Sequence, residues 1–213
     1  MPKLSLKRNI VIHHLESNRA TYIFTTVLLI MGVIFGAIIV NSMGFSQKND
    51  LYAYLTLFFN EASKGEFASS KEIFIQSFAY YSKMLGFIWF LGLSVIGVPI
   101  IYILLFVKGV MVGFTVGILV DQMGVNGFLF AFTSVLPQNI ILIPVFITAA
   151  TMATVFTLRL WRQIMKKGRE PVMTYFVHYS FFILCIGIIL LLVASFEAFI
   201  SPHLMSLIIE TTI

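Results

Sequence analysis

The sequence predicts an all-α polytopic membrane protein with about five transmembrane helices. Apolar residues make up 59% of the 213 residues, and charged residues make up only 11%. Several uninterrupted apolar runs reach the roughly 20 residues that a helix needs to cross a bilayer. The short alternating segments typical of a transmembrane β-barrel are missing. Because no soluble stretch is longer than about forty residues, we expect residues 1–213 to form a single integral membrane domain.

The N-terminal part combines a basic segment with a first apolar run. Residues 1–19 are basic and weakly amphipathic, which favours an interfacial helix on the cytoplasmic side. Residues 20–40 are predicted to be a retained first span, because the run is too long for the core of a signal peptide.

The only sizeable segment expected outside the membrane is residues 41–83. Ser69 and Glu72 have the spacing of a capping box, which predicts that a second helix follows the first within this segment. This outer amphipathic helix pair would cover the bundle, dock a partner, or do both. The candidate docking residues, chosen by helical spacing, are Leu51, Tyr54, Leu55, Phe58, Phe59 and Glu61.

The next apolar run, residues 85–120, is too long for one crossing. Lys108 and Gly109 interrupt it, so we expect a tight turn there. The turn would separate a span at residues 85–107, kinked at Pro99, from a short helix at residues 109–121.

Two of the predicted helices carry glycines at every fourth position. Such spacing leaves a smooth stripe against which another helix can lie backbone to backbone. The two stripes leave faces available for a homodimer, so the oligomeric state stays open. The stripe residues are Gly32 and Gly36 in the first span and Gly109, Gly113 and Gly117 in the short helix.

The second long apolar run, residues 128–158, would exceed the thickness of the bilayer as one straight helix. Pro137, Gln138 and Asn139 form the natural helix break. We therefore expect a short re-entrant or half-helix near residues 127–137, followed by a full span at residues 140–158. Whether the break lines a cavity stays open, although freed backbone groups at membrane depth need protein or water to satisfy them.

Basic residues predict the orientation in the membrane. The N-terminal segment and the loop at residues 159–174 are both rich in Lys and Arg, which favours the cytoplasmic side for both. An even number of crossings must separate them. The last span, residues 175–196, then places the C-terminus outside, so five crossings result.

No catalytic, cofactor or metal site is expected. The histidines at positions 13, 14, 178 and 203 lie near helix ends on both sides of the predicted membrane, so they cannot share one metal ion. Cys185 is the only cysteine, which excludes a disulfide within the chain. The motifs of metalloproteases, serine hydrolases and phosphate-binding loops are missing. The protein is therefore predicted not to be an enzyme, and its positive charge is distributed by topology rather than in a patch for nucleic acid.

Three ionisable residues stand out, because charge in or near hydrocarbon is costly. Lys108 is predicted to be a turn lysine whose ammonium reaches the cytoplasmic interface. Asp121 is placed in a shallow outer loop. Glu197 interrupts an apolar run near the outer interface, and we expect it to have a partner in the bundle or the outer loop.

Several segments, spread over essentially the whole chain, closely resemble the stage II sporulation protein M family. They are GVIFGAIIVNS in the first span, FASSKEIF in the outer segment, KGVMVGFTVG, LPQNIILIP and the terminal FEAFISP. The resemblance implies a non-enzymatic role in engulfment during endospore formation. Members of this family are thought to scaffold membrane-anchored peptidoglycan hydrolases, the stage II sporulation proteins D and P, at the sporulation septum of the cell membrane.

Two functions are compatible with these observations. In the first, residues 45–83 and the segment after Glu197 form an outer face that gathers hydrolases. In the second, the protein is a permease or permease subunit with a midplane site at the broken helix around Pro137. The scarcity of buried polar groups and the lack of a detectable internal repeat argue against the permease.

Overall fold

The computed structural model describes residues 15–63, 69–166 and 172–200. These parts of the chain contain no strand, and their long helices are α1 (Arg19–Ser42), α2 (Phe45–Ser63), α3 (Ser70–Leu91), α4 (Gly97–Ser134), α5 (Leu136–Lys166) and α6 (Val172–Phe199). Within them, four helices, α1, α4, α5 and α6, are long and apolar enough to cross a membrane. The predicted all-α polytopic membrane fold is confirmed, whereas the predicted count of five crossings is not.

Glycines make the contact between α1 and α4. A Cβ added to Gly32 would collide with the carbonyl oxygen of Phe106, and one added to Gly113 would collide with that of Val33. The contacts advance in the same direction along both helices, so α1 and α4 run parallel. The same contact includes Gly36 on Val110, Gly109 on Leu29, and Gly117 on Ala37 and Val40. Because both stripes are used within the chain, they no longer favour a homodimer.

In the chain order, helix α3 comes between the parallel helices α1 and α4 and runs in the opposite direction to them. The hydroxyl group of Tyr81 lies 2.7 Å from Glu197 near the C-terminal end of α6, and Trp89 Nε1 lies 3.1 Å from Ser180 near its N-terminal end. Helix α3 is therefore antiparallel to α6 and extends through the depth of the bundle. Its sequence includes three charged residues, namely Lys71, Glu72 and Lys83.

The start of α3 has the predicted capping box. The Ser69 hydroxyl accepts a hydrogen bond from the Glu72 N–H at 3.3 Å, and the Glu72 carboxylate accepts one from the Ser69 N–H at 3.1 Å. Two otherwise unpaired backbone donors are satisfied in this way. The helix then continues without interruption to Leu91, so the second outer helix and the following bundle helix are one element.

The turn between α3 and α4 lies at residues 92–96. Gly97 is required at its end, because a Cβ there would collide with the carbonyl group of Leu91. The hydroxyl group of Thr157 on α5 donates a hydrogen bond to the carbonyl oxygen of Gly92. This bond satisfies a carbonyl group that the end of α3 would otherwise leave unpaired.

The predicted turn at Lys108 and Gly109 is therefore wrong. Helix α4 passes through both residues, so the separate helices predicted at residues 85–107 and 109–121 do not exist. Pro99 lies in the first turn of α4, where a backbone N–H has no helical partner to lose. For this reason Pro99 starts the helix rather than kinking it.

Helix α4 changes direction at Gly124, whose backbone is left-handed with φ 58° and ψ −128°. Glycine adopts this conformation without the steric cost that a side chain brings. Residues 125–134, the fold-back segment, then pack against the preceding part of α4, with Phe130 and Ala131 on Leu119. The segment corresponds to the half-helix predicted near residues 127–137. The shallow loop predicted at Asp121 is reduced to this one non-helical residue.

The break after the fold-back segment falls at Val135, just before Pro137. Pro137 is the second residue of α5, where its missing N–H costs no helical hydrogen bond. Helix α5 then extends to Lys166, so the basic loop is shorter than the predicted residues 159–174. Residues 1–14 of the predicted cytoplasmic segment lie outside the described residues.

The glycine contact can be tested with two matched substitutions. Gly113→Ala should lower the free energy of unfolding by about 1–3 kcal/mol, because the new methyl group forces the two backbones apart. Gly86→Ala on α3 meets nothing within 4 Å and should be neutral or stabilising by up to about 1 kcal/mol. Thermal unfolding in mild detergent measures both, and equal effects would contradict the assigned contact.

Candidate functional site

An open cleft of about 420 Å³, lined by several polar side chains, lies between α3, α4, α6 and the break before α5, and we call it the polar chamber. Its volume is in the range of small-molecule binding sites. It brings together four residues that the sequence singled out separately: Lys108, Gln138, Asn139 and Glu197. The other polar side chains that line it are Gln76, Ser77, Tyr80, Tyr81 and Thr115.

Lys108 lies inside α4 and is only 9% exposed. Its ammonium group lies 5.1 Å from the ring centre of Tyr80, 5.7 Å from that of Tyr81 and 5.9 Å from that of Phe146. Aromatic faces attract a cation, but they accept no conventional hydrogen bond. Lys108 is therefore a chamber residue, and the predicted turn lysine at the cytoplasmic interface is wrong because the turn lies at residues 92–96.

Glu197 lies on α6 and has a partner on α3. The Tyr81 hydroxyl donates a hydrogen bond to Glu197 Oε2 at 2.7 Å. A short hydrogen bond to an ionised acceptor is stronger than one between neutral groups. The carboxylate also attracts Lys108 across the chamber, although the two groups do not form an ion pair.

Asn139 is placed by the break between α4 and α5. Its side-chain Nδ2 donates a hydrogen bond to the carbonyl oxygen of Val135 at 2.8 Å. Exchanging the amide oxygen and nitrogen would bring two oxygens together, so this bond fixes the orientation of the amide. Asn139 is 6% exposed, and its Oδ1 is buried without a hydrogen-bond partner. An unsatisfied buried acceptor is costly, which indicates a place for a donor group.

Helix α2 is held on the end of the bundle near the chamber. Lys48 Nζ and Asp121 Oδ1 form an ion pair at 2.8 Å, and Leu55 packs against the cluster of Leu119, Phe130 and Ala131. Asp121 was placed in a shallow loop, but it belongs to helix α4.

The predicted docking residues divide between two faces of α2. Leu51 and Leu55 are half-buried on the side of Lys48, whereas Tyr54 is 73% exposed. Leu57, which the sequence analysis missed, lies three residues after Tyr54 on the same face and is 58% exposed. We call Tyr54 and Leu57 the outer patch. The side chains of the other predicted docking residues, Phe58, Phe59 and Glu61, lie outside the described residues.

The histidines do not contribute to the chamber in the part of the chain that the structure describes. His178 Nδ1 lies 2.6 Å from the carbonyl oxygen of Thr174. Positions 13, 14 and 203 are outside the described residues. Within the described ranges, no group of three or more His, Cys, Asp or Glu side chains could hold a metal ion.

These observations define a polytopic helical membrane protein with a polar chamber and with helix α2 on one end of its bundle. The family model of Stage II sporulation protein M matches residues 25–202. The chain therefore belongs to the Stage II sporulation protein M family, as the sequence motifs indicated. No curated protein and no solved structure matches it.

The hydrogen bond between Tyr81 and Glu197 can be tested by removing one hydroxyl group. Tyr81→Phe should lower the free energy of unfolding by about 1.5–3 kcal/mol, because the acceptor is charged. Tyr80→Phe is the control, since the Tyr80 hydroxyl makes only a 3.6 Å contact with Met111 Sδ. In a Glu197→Leu background the effect of Tyr81→Phe should nearly vanish, and full retention of the effect in this double-mutant cycle would contradict the coupling.

Proposed function

We propose that the protein is a non-enzymatic membrane scaffold that recruits and localises peptidoglycan hydrolases during engulfment in endospore formation. Membership of the Stage II sporulation protein M family supports a sporulation role. The observation that carries the proposal is the position of α2, which the ion pair between Lys48 and Asp121 holds on the end of the bundle while the outer patch faces away.

The outer patch has the composition of a protein interface. Tyrosine is enriched where proteins meet, and an exposed leucine beside it adds apolar area. Fixing α2 on the bundle lowers the ordering cost of binding, because the patch is already in place when a partner arrives. The proposed partners are the membrane-anchored hydrolases, stage II sporulation proteins D and P.

The helix directions support the proposed sidedness. Helices α1 and α4 run parallel and α3 runs antiparallel to α6, so α3 supplies the return path between two helices of the same direction. If the basic N-terminal segment is in the cytoplasm, as the positive-inside tendency favours, α2 and the outer patch are proposed to lie on the wall side. The proposed location is the cell membrane at the sporulation septum and the engulfing membrane, with the C-terminus outside.

A permease or permease subunit is the second candidate, and the polar chamber is the observation that favours it. The chamber lies beside the break at Val135 and supplies buried polar groups, including Lys108 and Asn139. We rank it second because the sequence shows no internal repeat with which a transporter alternates access between the membrane faces.

The scaffold is tested by capturing the protein from cells in engulfment in mild detergent and identifying the co-purified proteins by mass spectrometry. The double substitution Tyr54→Asp and Leu57→Asp should abolish capture of the hydrolases, because two charges replace the apolar contact. The matched control is Tyr52→Asp with Thr56→Asp, which adds the same charge on another exposed face of α2. This control should retain capture.

Either of two results would overturn the scaffold proposal. One is undiminished hydrolase capture by the outer-patch variant at equal protein levels in the membrane. The other is capture of an ATPase or a bound solute in place of wall enzymes, which would support the permease.

A charge exchange tests whether the position of α2 matters. Lys48→Asp should reduce hydrolase capture about two- to fivefold, because an exposed ion pair contributes up to about 1 kcal/mol. Adding Asp121→Lys restores the pair in reverse and should restore capture. Equal capture by the single and double variants would show that the ion pair does not position the docking helix.

A further inference from the structure

The polar chamber continues sideways into an apolar groove between α3 and α4. This groove has a volume of about 280 Å³ and shares Tyr80, Lys108 and Met111 with the chamber. Phe87 and Val107 also line it, and they are 59% and 44% exposed, so the groove opens on the lateral surface of the bundle. Lys108 therefore lies at the boundary between the polar chamber and the apolar groove.

The chamber leaves both a cation and an acceptor without a hydrogen-bond partner. Among the described residues, the ammonium group of Lys108 meets aromatic faces and no hydrogen-bond acceptor. The Oδ1 atom of Asn139 meets no donor. Glu197 adds a negative charge on the same chamber. A complementary ligand has an anionic group for Lys108 and a cationic N–H donor for Asn139 and Glu197.

We propose that the chamber and the groove together bind one aminophospholipid. Its phosphate meets Lys108, its ethanolamine ammonium group meets Asn139 and Glu197, and one acyl chain lies along the groove past Phe87 and Val107. The apolar groove favours a lipid over a free zwitterion, because a soluble headgroup leaves that surface uncovered. This site is independent of the outer patch and of hydrolase recruitment.

The proposal separates three common lipid headgroups. A choline headgroup carries the same charges but no N–H donor, so it leaves Asn139 Oδ1 unsatisfied. A glycerol headgroup supplies hydroxyl donors but no positive charge to pair with Glu197. Ethanolamine alone satisfies both requirements.

The experiment uses the full chain in vesicles of phosphatidylethanolamine, phosphatidylcholine and phosphatidylglycerol in equal amounts with identical acyl chains. The protein is extracted in mild detergent, and native mass spectrometry measures the lipids that remain bound. We expect phosphatidylethanolamine to be retained about tenfold over phosphatidylcholine, the ratio that one hydrogen bond to a buried partner produces. Equal retention, or a preference for phosphatidylglycerol, would overturn the proposal.

Variants identify the headgroup contacts. Lys108→Met should lower retention about tenfold, whereas Lys71→Met, which removes an exposed charge from the start of α3, should not. Glu197→Gln is the second variant, for use if Lys108→Met fails to fold. It keeps an acceptor for the Tyr81 hydroxyl, so we expect it to retain the fold. It should reduce the preference for ethanolamine over glycerol headgroups, and an unchanged preference would remove Glu197 from the site.

A second pair of variants tests the groove. Val107→Phe narrows the groove without replacing a charged residue and should reduce retention, whereas Ile103→Phe, at an exposed position of α4 outside the groove, should not. Soluble glycerophosphoethanolamine serves as the competitor without acyl chains. Displacement of the lipid by an equal concentration of this competitor would overturn the assignment of a lipid.

Discussion

The backbone contact between α1 and α4 constrains the whole bundle. In a bilayer, helices gain little from hiding apolar surface from each other, so close packing of small residues becomes the main attraction. Here glycines on both helices allow carbonyl groups and Cα atoms to meet directly. Because the two helices run parallel, the chain between them has to return through the bundle. Helix α3, which includes three charged residues, takes the chain back across the bundle. The turn at residues 92–96 then reverses the chain direction at the start of α4.

The chamber is a product of the same arrangement. Once α4 begins at Gly97, Lys108 is a helix residue with aromatic neighbours from α3 and α5 rather than a loop residue facing water. The break at Val135 then places Asn139 opposite α3. The chamber therefore combines buried charged groups with a buried polar atom that has no hydrogen-bond partner. Polar and ionisable groups inside a membrane protein are typical of functional sites.

The sequence predicted the features that depend on local chemistry. Composition and run length indicated the fold class, the spacing of Ser69 and Glu72 indicated a helix start, and Pro137 indicated a break close to Val135. The turn at residues 92–96 was missed because a run that is apolar on every side has no periodicity to show its ends. Lys108, as the only charge in that run, was taken as a loop signal, although the turn lies at residues 92–96, between Leu91 of α3 and Gly97 of α4.

The candidate site was only partly predictable for a different reason. Lys108, Gln138, Asn139 and Glu197 could each be singled out, since polar groups are rare in this chain. Their association could not, because it depends on contacts between residues far apart in sequence, such as Tyr81 with Glu197. For a similar reason, the sequence did not separate the exposed Tyr54 from the half-buried Leu51 and Leu55 on α2. The pairing of Lys48 with Asp121 decides which side of that helix is covered, and α2 alone does not contain this information.

The antiparallel packing of α3 on α6 has a consequence for the order in which the protein assembles. Helix α3 is made early in synthesis and carries three charged residues, whereas α6, its principal packing partner, is the last of the helices described. Helices α1 and α4 can pair as soon as both have been made, but the Tyr81 and Trp89 contacts must wait for α6. Assembly therefore passes through an intermediate in which α3 is present and the face that will meet α6 is still uncovered. In that interval Tyr81 and Trp89 of α3 lack the partners, Glu197 and Ser180, that α6 supplies in the finished fold.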